Sequence, residues 1–227
     1  MAMYDLTDPG PLRSPALVVA FEGWVNAGSA GTIAAETLAG EGAVIARFDP
    51  DGLYDYRVNR PVIDFVDGAI DTVEWPRMEL RHSAMPERDV LVLTGTEPNW
   101  NWRRFSAEVA EVEKRLGVVE HVSIGGIPWA AAHTRPVSIM TTASSVDRLP
   151  DGDDPPRGLL RVPGAAVSVV ESAAVEADIP SVGFWARVPH YLGASFAAAA
   201  LALVERVVAH LGVTTDLTGL ATTAADQ

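Results

Sequence analysis

Four short strand-like runs divide the chain and restrict the folds open to it. They are Pro15–Phe21, Val90–Leu93, Val118–Ile124 and Ser181–Trp185. Pro15–Phe21 and Val90–Leu93 are apolar throughout, which is typical of strands buried on both faces of a sheet. Stretches with helical spacing lie between them along the chain. Strands that alternate with helices pair in parallel through crossover connections, so the pattern predicts an α/β fold with a largely parallel central sheet.

The clearest helical pattern follows the second of these strands. Apolar residues recur at i, i+4, i+7 and i+11 within Phe105–Leu116, which places them on one face of a helix. Gly117 ends the pattern, as glycine commonly ends a helix. The charged residues Glu108, Glu111 and Glu113 fall outside the apolar positions. We therefore predict that they face the solvent.

An antiparallel block interrupts the alternation of strands and helices. Val62–Val66 and Ala69–Trp75 are short strand-like runs that Asp67-Gly68 joins. Asp-Gly between two such runs is a strong signal for a tight hairpin turn. A further short strand is predicted near Met78–His82. The central sheet is therefore predicted to be mixed, with an antiparallel extension.

The length of 227 residues fits a single domain, and we predict one α/β domain over residues 1–227. Residues 144–163 are rich in Asp, Pro and Gly. We interpret them as a mobile excursion or lid within that domain rather than as a linker. The stretch from residue 212 to the end is rich in Thr and Ala, and it is predicted to be weakly structured.

Composition excludes several classes of partner. A net charge of −13 would repel nucleic acids and anionic membranes, so neither is expected. The absence of Cys excludes disulfides and thiolate chemistry. The N-terminus lacks a signal-peptide pattern, and the apolar stretch Tyr191–Val204 is shorter than the roughly 20 residues that a membrane span needs. We therefore expect a soluble, cytoplasmic protein.

Polar and aromatic side chains gather next to the predicted strands. Four strand ends and one polar loop carry them, and ligands of open α/β sheets bind outside the carboxyl ends of the strands. The candidate residues for a ligand site or an interface are Glu22, Trp24, Asn26, Asp55, Arg57, Arg60, Glu97, Asn99, Trp102, Arg103, His133, Arg135, Trp185, His190 and Tyr191.

These residue types allow two interpretations. Carboxylates and imidazoles transfer protons, and Arg binds anions such as phosphate through paired hydrogen bonds, so the set fits a small-molecule site. Glu and Arg near strand ends also form structural ion pairs, and Trp and Tyr are favoured in protein interfaces. The sequence leaves open whether the candidate residues line a ligand cleft or a contact between subunits.

No motif indicates a metal, a cofactor or a catalytic residue. His133 and His190 lack a partner at i+4 and are interpreted as hydrogen-bonded structural residues. The segment Gly23–Gly31 carries several glycines after a strand, but it fits neither a dinucleotide-binding nor a P-loop pattern. A GxSxG nucleophile motif does not occur. We therefore predict no metal and no cofactor, and we assign no catalytic residue.

Seven short sequence motifs occur in order between about residue 15 and residue 212. They are FEGWVNAG (Phe21–Gly28), FDPDGLYDYRVNRP (Phe48–Pro61), EWP (Glu74–Pro76), LVLTGTEPNWNWRRF (Leu91–Phe105), HTRP (His133–Pro136), VPGAA (Val162–Ala166) and VPHYL (Val188–Leu192). In this order they resemble the proteasome assembly chaperone two family in its actinobacterial form.

The resemblance implies a three-layer α/β/α sandwich similar to nucleoside phosphorylases and hydrolases. It also implies self-association as a homotrimer. Eukaryotic members help to assemble proteasome α-rings, so the resemblance implies proteasome subunits as further partners. Similar actinobacterial members continue into a further helical segment, whereas this sequence ends at Gln227, soon after Leu217–Leu220.

Two functional hypotheses follow. The first is a self-associating, chaperone-like interaction module. It is supported by the motifs shared with the family, the Trp residues at loop positions and the lack of a catalytic motif. The second is a small-molecule-binding enzyme similar to nucleoside phosphorylases or hydrolases, which would use the polar residues at the strand ends. The first is favoured over an enzyme, because a shared fold does not by itself transfer a catalytic activity.

Overall fold

The computed structural model of the protein describes residues 2–150, 153 and 155–227. Its strands, in chain order, are β1 (Tyr4–Leu6), β2 (Ala16–Glu22), β3 (Ala43–Phe48), β4 (Val62–Val66), β5 (Ala69–Glu74), β6 (Met78–Ala84), β7 (Asp89–Thr96), β8 (Glu120–Trp129), β9 (Ile139–Ala143) and β10 (Ser181–Pro189). Its helices are α1 (Ala30–Ala39), α2 (Pro50–Leu53), α3 (Trp102–Arg115), α4 (Ala166–Glu176), α5 (Ala197–Leu211) and α6 (Thr218–Ala225). Single 3₁₀ turns lie at Ala27–Ser29 and Val146–Arg148.

The main sheet is mixed and has a parallel centre. Within the described residues its order is β1-β3-β6-β7-β2-β8-β10-β9. The central strands β7, β2, β8 and β10 run parallel. Antiparallel pairs extend the sheet on both sides, through β6, β3 and β1 on one side and β9 on the other. The predicted α/β fold with a mixed sheet is therefore confirmed.

Helices cover both faces of this sheet. α1 and α5 pack on one face, and α3 and α4 pack on the other. Successive side chains of β2 point to opposite faces, so that Val18 lies in the first core and Leu17 and Val19 lie in the second. Because both faces are covered, β2 is apolar along nearly its whole length. The result is the three-layer α/β/α sandwich that the family resemblance implies.

The hairpin forms where the sequence predicts it but does not extend the main sheet. β4 and β5 pair only with each other among the described strands. Asp67 and Gly68 have φ values of 51° and 82°, as a two-residue hairpin turn with positive φ at both positions requires. Of the predicted antiparallel block, only β6 joins the main sheet. We call Val62–Glu74 the arm.

The strand β8 is longer than the sequence predicts. It continues through Gly125 and Gly126, where the prediction ends the strand at Ile124. The connection between β2 and α1 crosses the strand here, and Asn26 forms a β-bridge with Gly126. A Cβ on Gly126 would overlap the carbonyl oxygen of Ala27. The two glycines therefore allow a backbone crossing and do not mark the end of the strand.

The chain after Gly212 contains the helix α6, although the sequence predicts weak structure there. Leu217 and Leu220 pack against the core that α5 covers, which gives this stretch the apolar contacts that its composition does not show. Of the predicted excursion at residues 144–163, residues 151, 152 and 154 lie outside the described residues. Within the described chain, no helix is both long enough and apolar enough to cross a membrane.

Replacing Gly126 by Ala is expected to lower the free energy of unfolding by about 1–3 kcal/mol, because the added methyl group meets backbone that cannot rotate away. Urea unfolding followed by circular dichroism measures this change. Gly164→Ala is the matched control, since a Cβ at that position has open space. Equal stability of the two variants would contradict the close backbone crossing at β8.

Candidate functional site

Most of the candidate residues lie in two places along the carboxyl edge of the parallel strands, whereas Arg103 lies in a groove between α3 and α4. The first group lies at the ends of β2 and β7, and the second lies at the ends of β8 and β10. Among the described residues, no hydrogen bond or ion pair joins the carboxylates of the first group to the histidines of the second. The residues that the sequence places at one edge therefore form two neighbouring groups.

Glu97 holds the first group together. Its Oε2 accepts a hydrogen bond from the Trp24 backbone N–H at 2.9 Å, and its Oε1 accepts one from the Ala166 N–H at 2.7 Å. Its own N–H donates to the Glu22 carbonyl oxygen at 2.8 Å. One side chain thus joins the loops after β2 and β7 to the first turn of α4, where a negative charge also stabilises the helix dipole.

The residues around Glu97 differ in exposure. A Cβ on Gly23 would overlap the Glu97 side chain, so the glycine allows the carboxylate to reach the backbone of the β2 loop. The Trp24 ring is 69% exposed. The Glu22 side chain is also exposed, and no polar contact of its carboxylate is found among the described residues. Glu97 is therefore structural, while Glu22 and Trp24 face outward.

Asn99 fixes the polar loop that follows β3. Its Oδ1 accepts hydrogen bonds from the Asp55 N–H and from the Asn59 Nδ2, both at 2.8 Å. Its backbone N–H donates to the Leu53 carbonyl oxygen at 2.9 Å. Because the side-chain oxygen already has two donors within the protein, Asn99 serves to dock one loop on another.

The polar loop itself carries an exposed ion pair. Arg57 lies 2.7 Å from Asp55, and hydrogen bonds from Arg57 lower the pKa of the Asp55 carboxyl to about 2. Arg60 is exposed at the base of the arm, where it lines an open cleft of about 700 Å³ with Glu22 and Asn59. Exposed pairs of this kind contribute little to stability, so the Asp55–Arg57 pair shapes the loop locally.

Asn26 and Trp185 have structural roles within the fold. The Asn26 Oδ1 accepts from the N–H groups of Gly31 and Thr32 at 3.0 and 3.1 Å, which satisfies the first turn of α1. Trp185 is buried in β10, and its Nε1 donates to the Thr142 hydroxyl at 2.9 Å. The polar atoms of both side chains therefore have hydrogen-bond partners within the protein.

Trp102 and Arg103 begin the helix α3. The Trp102 Nε1 donates to the Pro98 carbonyl oxygen at 2.5 Å, and its ring packs against the core beneath α3. Arg103 is exposed and lines a groove between α3 and α4. The structure therefore places Trp102 in packing and Arg103 on a different surface from Glu97.

The second group is built from histidines and aromatic rings. The His133 N–H donates to the Tyr191 hydroxyl oxygen at 2.8 Å, and the His133 Nδ1 lies 3.0 Å from the same oxygen. The His190 N–H donates to the Trp129 carbonyl oxygen at 3.0 Å. The Arg187 guanidinium lies 4.7 Å from the centre of the Trp129 ring, within cation–π range. These contacts fit the interpretation of both histidines as hydrogen-bonded structural residues.

Arg135 is exposed in the loop after β8, where its N–H closes a turn on the Ala132 carbonyl oxygen at 3.1 Å. Across the described ranges, no three His, Asp or Glu side chains lie close enough together to hold a metal ion. The second group is thus a surface of rings and cations rather than a set of ligands around one point.

Sequence reasoning missed a buried polar chain beneath α3 and α4. His121 and Ser123 lie on β8 and are fully buried. The His121 Nδ1 lies 2.7 Å from Glu113 Oε1, and its Nε2 lies 3.1 Å from the Ser123 hydroxyl oxygen. Glu171 on α4 forms a further hydrogen bond with Ser123. The prediction that Glu113 faces the solvent is wrong, because its side chain is turned inward to His121.

The protonation of this chain follows from its burial. Burial raises the pKa of the Glu171 carboxyl, while His121 and the hydrogen bond with Ser123 lower it by less. The neutral form of the Glu171 carboxyl is therefore favoured up to a higher pH than that of an exposed glutamate. Glu113, His121 and Ser123 are buried, and the chain joins α3 and α4 to the sheet.

One signal in the sequence could have revealed this chain. His121 and Ser123 are two residues apart in an otherwise apolar strand, so they point to the same face of the sheet. Two polar residues on one buried face require polar partners from the helices above. Which carboxylates supply them depends on how α3 and α4 cross the sheet, which the sequence pattern does not give.

Fold and site together define a class of protein: an α/β/α sandwich with an exposed arm, in which the polar residues of the sequence motifs anchor loops rather than form a recognised catalytic arrangement. Residues 20–227 match the model of the PAC2 family, and the chain belongs to that family. The family that the seven sequence motifs predict is thereby confirmed. No curated protein matches the sequence.

Solved structures with the same fold include close relatives of this chain. A proteasome-assembly chaperone homologue of Mycobacterium tuberculosis is 37% identical, with a TM-score of 0.87 over 93% of this chain and 91% of that one. A PAC2 family protein of Streptomyces avermitilis is 32% identical, with a TM-score of 0.83 over 93% and 92%. An archaeal proteasome activator of Pyrococcus furiosus is 17% identical, with a TM-score of 0.72 over 98% and 94%, and shows the fold alone.

Replacing Glu97 by Ala is expected to lower the free energy of unfolding by about 1–3 kcal/mol, because the N–H groups of Trp24 and Ala166 lose their acceptor. Chemical denaturation measures the difference. Glu22→Ala removes an exposed carboxylate close by and should change stability by less than about 0.5 kcal/mol. If both variants unfold like the wild type, Glu97 does not hold the loops together.

Replacing Glu171 by Gln is expected to stabilise the protein increasingly as the pH rises. Below the ordinary glutamate pKa of about 4.3, the wild-type carboxyl is neutral in both the folded and the unfolded state. Above it, the unfolded carboxyl ionises while the folded one retains its proton, because burial raises its pKa, so the wild type loses stability that the Gln variant keeps.

Urea unfolding of both proteins from pH 4 to pH 7 tests this expectation. The difference in unfolding free energy should grow with pH for Glu171→Gln. The control is Glu176→Gln, an exposed residue of the same helix whose difference from the wild type should stay constant. Parallel curves for Glu171→Gln and the wild type would contradict the raised pKa of the Glu171 carboxyl.

Proposed function

We propose that the protein is a self-associating, chaperone-like module of the PAC2 family that binds proteasome components in the cytoplasm. Membership of the family supports a chaperone-like role, and one relative of 37% identity is described as a proteasome-assembly chaperone homologue. The family resemblance implies three copies in the assembly. The observation in this chain that carries the proposal is the exposed apolar face of the arm.

The arm has an apolar face that the rest of its own chain leaves open. The register places Ile63 opposite Val73 and Phe65 opposite Ile70. Because Ile63 and Phe65 are two residues apart on β4, all four side chains share one face. They are exposed by 44%, 41%, 62% and 65% for Ile63, Val73, Phe65 and Ile70.

An arm of this kind needs a partner. A two-stranded hairpin by itself is marginally stable in water. Large contiguous apolar patches on a protein surface mark sites of interaction. These side chains are about half exposed, so covering each would contribute about 0.7–1.5 kcal/mol, half of the value for full burial. A contact with another protein therefore supplies the apolar cover that the chain itself does not.

Catalysis is not part of the proposal, because Glu97 and Asn99, the central polar residues of the loop after β7, hold the backbone. Both oxygens of Glu97 accept hydrogen bonds from backbone N–H groups, and the Asn99 side-chain oxygen accepts two hydrogen bonds from the loop after β3. A general base must instead present a free lone pair to its substrate. The geometry therefore supports binding of macromolecules over small-molecule chemistry.

The double substitution Phe65→Glu/Ile70→Glu is expected to lower the molecular mass of the protein in solution to that of the single chain. Charged side chains on the apolar face would have to be buried in the contact. Size-exclusion chromatography with light scattering over a range of concentrations measures the mass. Val66→Glu/Ala69→Glu is the matched control, with the same change in charge on the opposite face of the arm.

The binding of proteasome components is tested with the same variants. The wild-type protein and the control variant should retain purified proteasome α-subunits in a pull-down. A wild-type protein that stays monomeric at every concentration contradicts self-association. A wild-type protein that associates but retains no proteasome subunit contradicts the choice of partner alone.

A further inference from the structure

A second exposed apolar segment lies on a different part of the surface. Residues 155–164 form no helix or strand and bend at Gly158, which has a φ of 68°, and we call them the strap. Leu159, Leu160 and Val162 in it are 86%, 49% and 64% exposed. The strap also carries Arg157 and Arg161 and has no acidic residue, although acidic residues outnumber basic ones by 30 to 17 in the whole chain. It is therefore a basic and apolar surface on an acidic protein.

The strap is fixed at both ends and unpaired between them. Before it, the Asp153 carboxylate binds Arg206 of α5 at 2.5 Å. After it, the Ala166 N–H donates to Glu97 at 2.7 Å. In the part of the chain that the structure describes, no backbone group of residues 155–164 makes a hydrogen bond. A segment held in this way presents its apolar side chains and its two arginines to another molecule.

The arm has the complementary chemistry. Val62–Glu74 contains Asp64, Asp67, Asp71 and Glu74 and no basic residue. Its apolar face is open, and neither outer edge of its two strands is paired with another described strand. A two-stranded hairpin becomes stable when another segment packs on it. The arm therefore lacks a partner that is apolar and basic.

We propose that the strap of one copy packs on the apolar face of the arm of a second copy and neutralises its acidic rim. This contact rests on the proposed self-association and names the surfaces that produce it. Within one chain both surfaces are exposed, so a chain does not cover its own arm with its own strap. Because the two surfaces differ, the contact is head-to-tail.

Charge reversal tests the pairing. Arg157→Glu/Arg161→Glu should weaken association at least tenfold, measured as the dissociation constant by sedimentation. Adding Asp71→Arg/Glu74→Arg to the same chain restores opposite charges and should return the constant to within about threefold of the wild type. Lys114→Glu/Arg115→Glu is the control, since it changes the charge equally on the exposed end of α3 and should have no effect.

Hydrogen exchange of the unmodified protein provides a second measurement, which does not depend on whether a variant folds. Amides of the strap and the arm should exchange fast in dilute, dissociated protein and become protected together at high concentration. Strap amides that exchange equally fast in the assembly would overturn the pairing. So would a strap reversal without effect, or a reversal that the arm substitutions do not rescue.

The outcomes separate this inference from the proposed function. If the wild-type protein does not associate at any concentration, self-association fails and the pairing fails with it. If it associates and the strap variant associates equally well, only the pairing of strap and arm is overturned. If the strap variant dissociates and the combined variant reassociates, both stand.

Discussion

Burial of β2 on both faces is the constraint on which the rest of the structure depends. A strand with apolar side chains in both directions must have a helix layer on each side. The two layers require crossover connections, and crossovers bring the carboxyl ends of β2, β7, β8 and β10 to one edge. The loops that meet at this edge then need polar anchors, because their backbone groups have no strand partners.

The polar residues at the edge supply these anchors. Glu97 joins three segments through backbone N–H groups, and Asn99 docks the loop after β3. Carboxylates and amides are also the groups of many active sites, so residue type alone does not distinguish the two uses. Their partners do: a lone pair that already accepts a backbone hydrogen bond is occupied. The same holds for the buried chain from Glu113 to Glu171, which satisfies polar groups between sheet and helices.

The two surfaces proposed for association lie outside this body. The arm and the strap both project apolar side chains into the solvent, and each leaves backbone groups unpaired among the described residues. Neither contributes a residue to the two hydrophobic cores. Exposed surfaces that are separate from the hydrophobic cores fit a protein whose family includes proteasome-assembly chaperone homologues, since an assembly protein acts through its contacts. The opposite charges of arm and strap direct which surfaces meet.

The sequence by itself determined the features that depend on local pattern. Apolar runs identified the buried strands, Asp67-Gly68 identified the hairpin turn, and the order of the seven motifs identified the family. Only the tertiary structure decided that the hairpin stands apart from the main sheet, that Gly126 lies under a crossing loop, and that Glu113 turns inward to His121. It also decided that the two carboxylate oxygens of Glu97 accept hydrogen bonds from the backbone N–H groups of Trp24 and Ala166. The physical reason is that each of these outcomes depends on contacts between segments far apart in the chain, whereas periodicity and turn chemistry record only what neighbouring residues prefer.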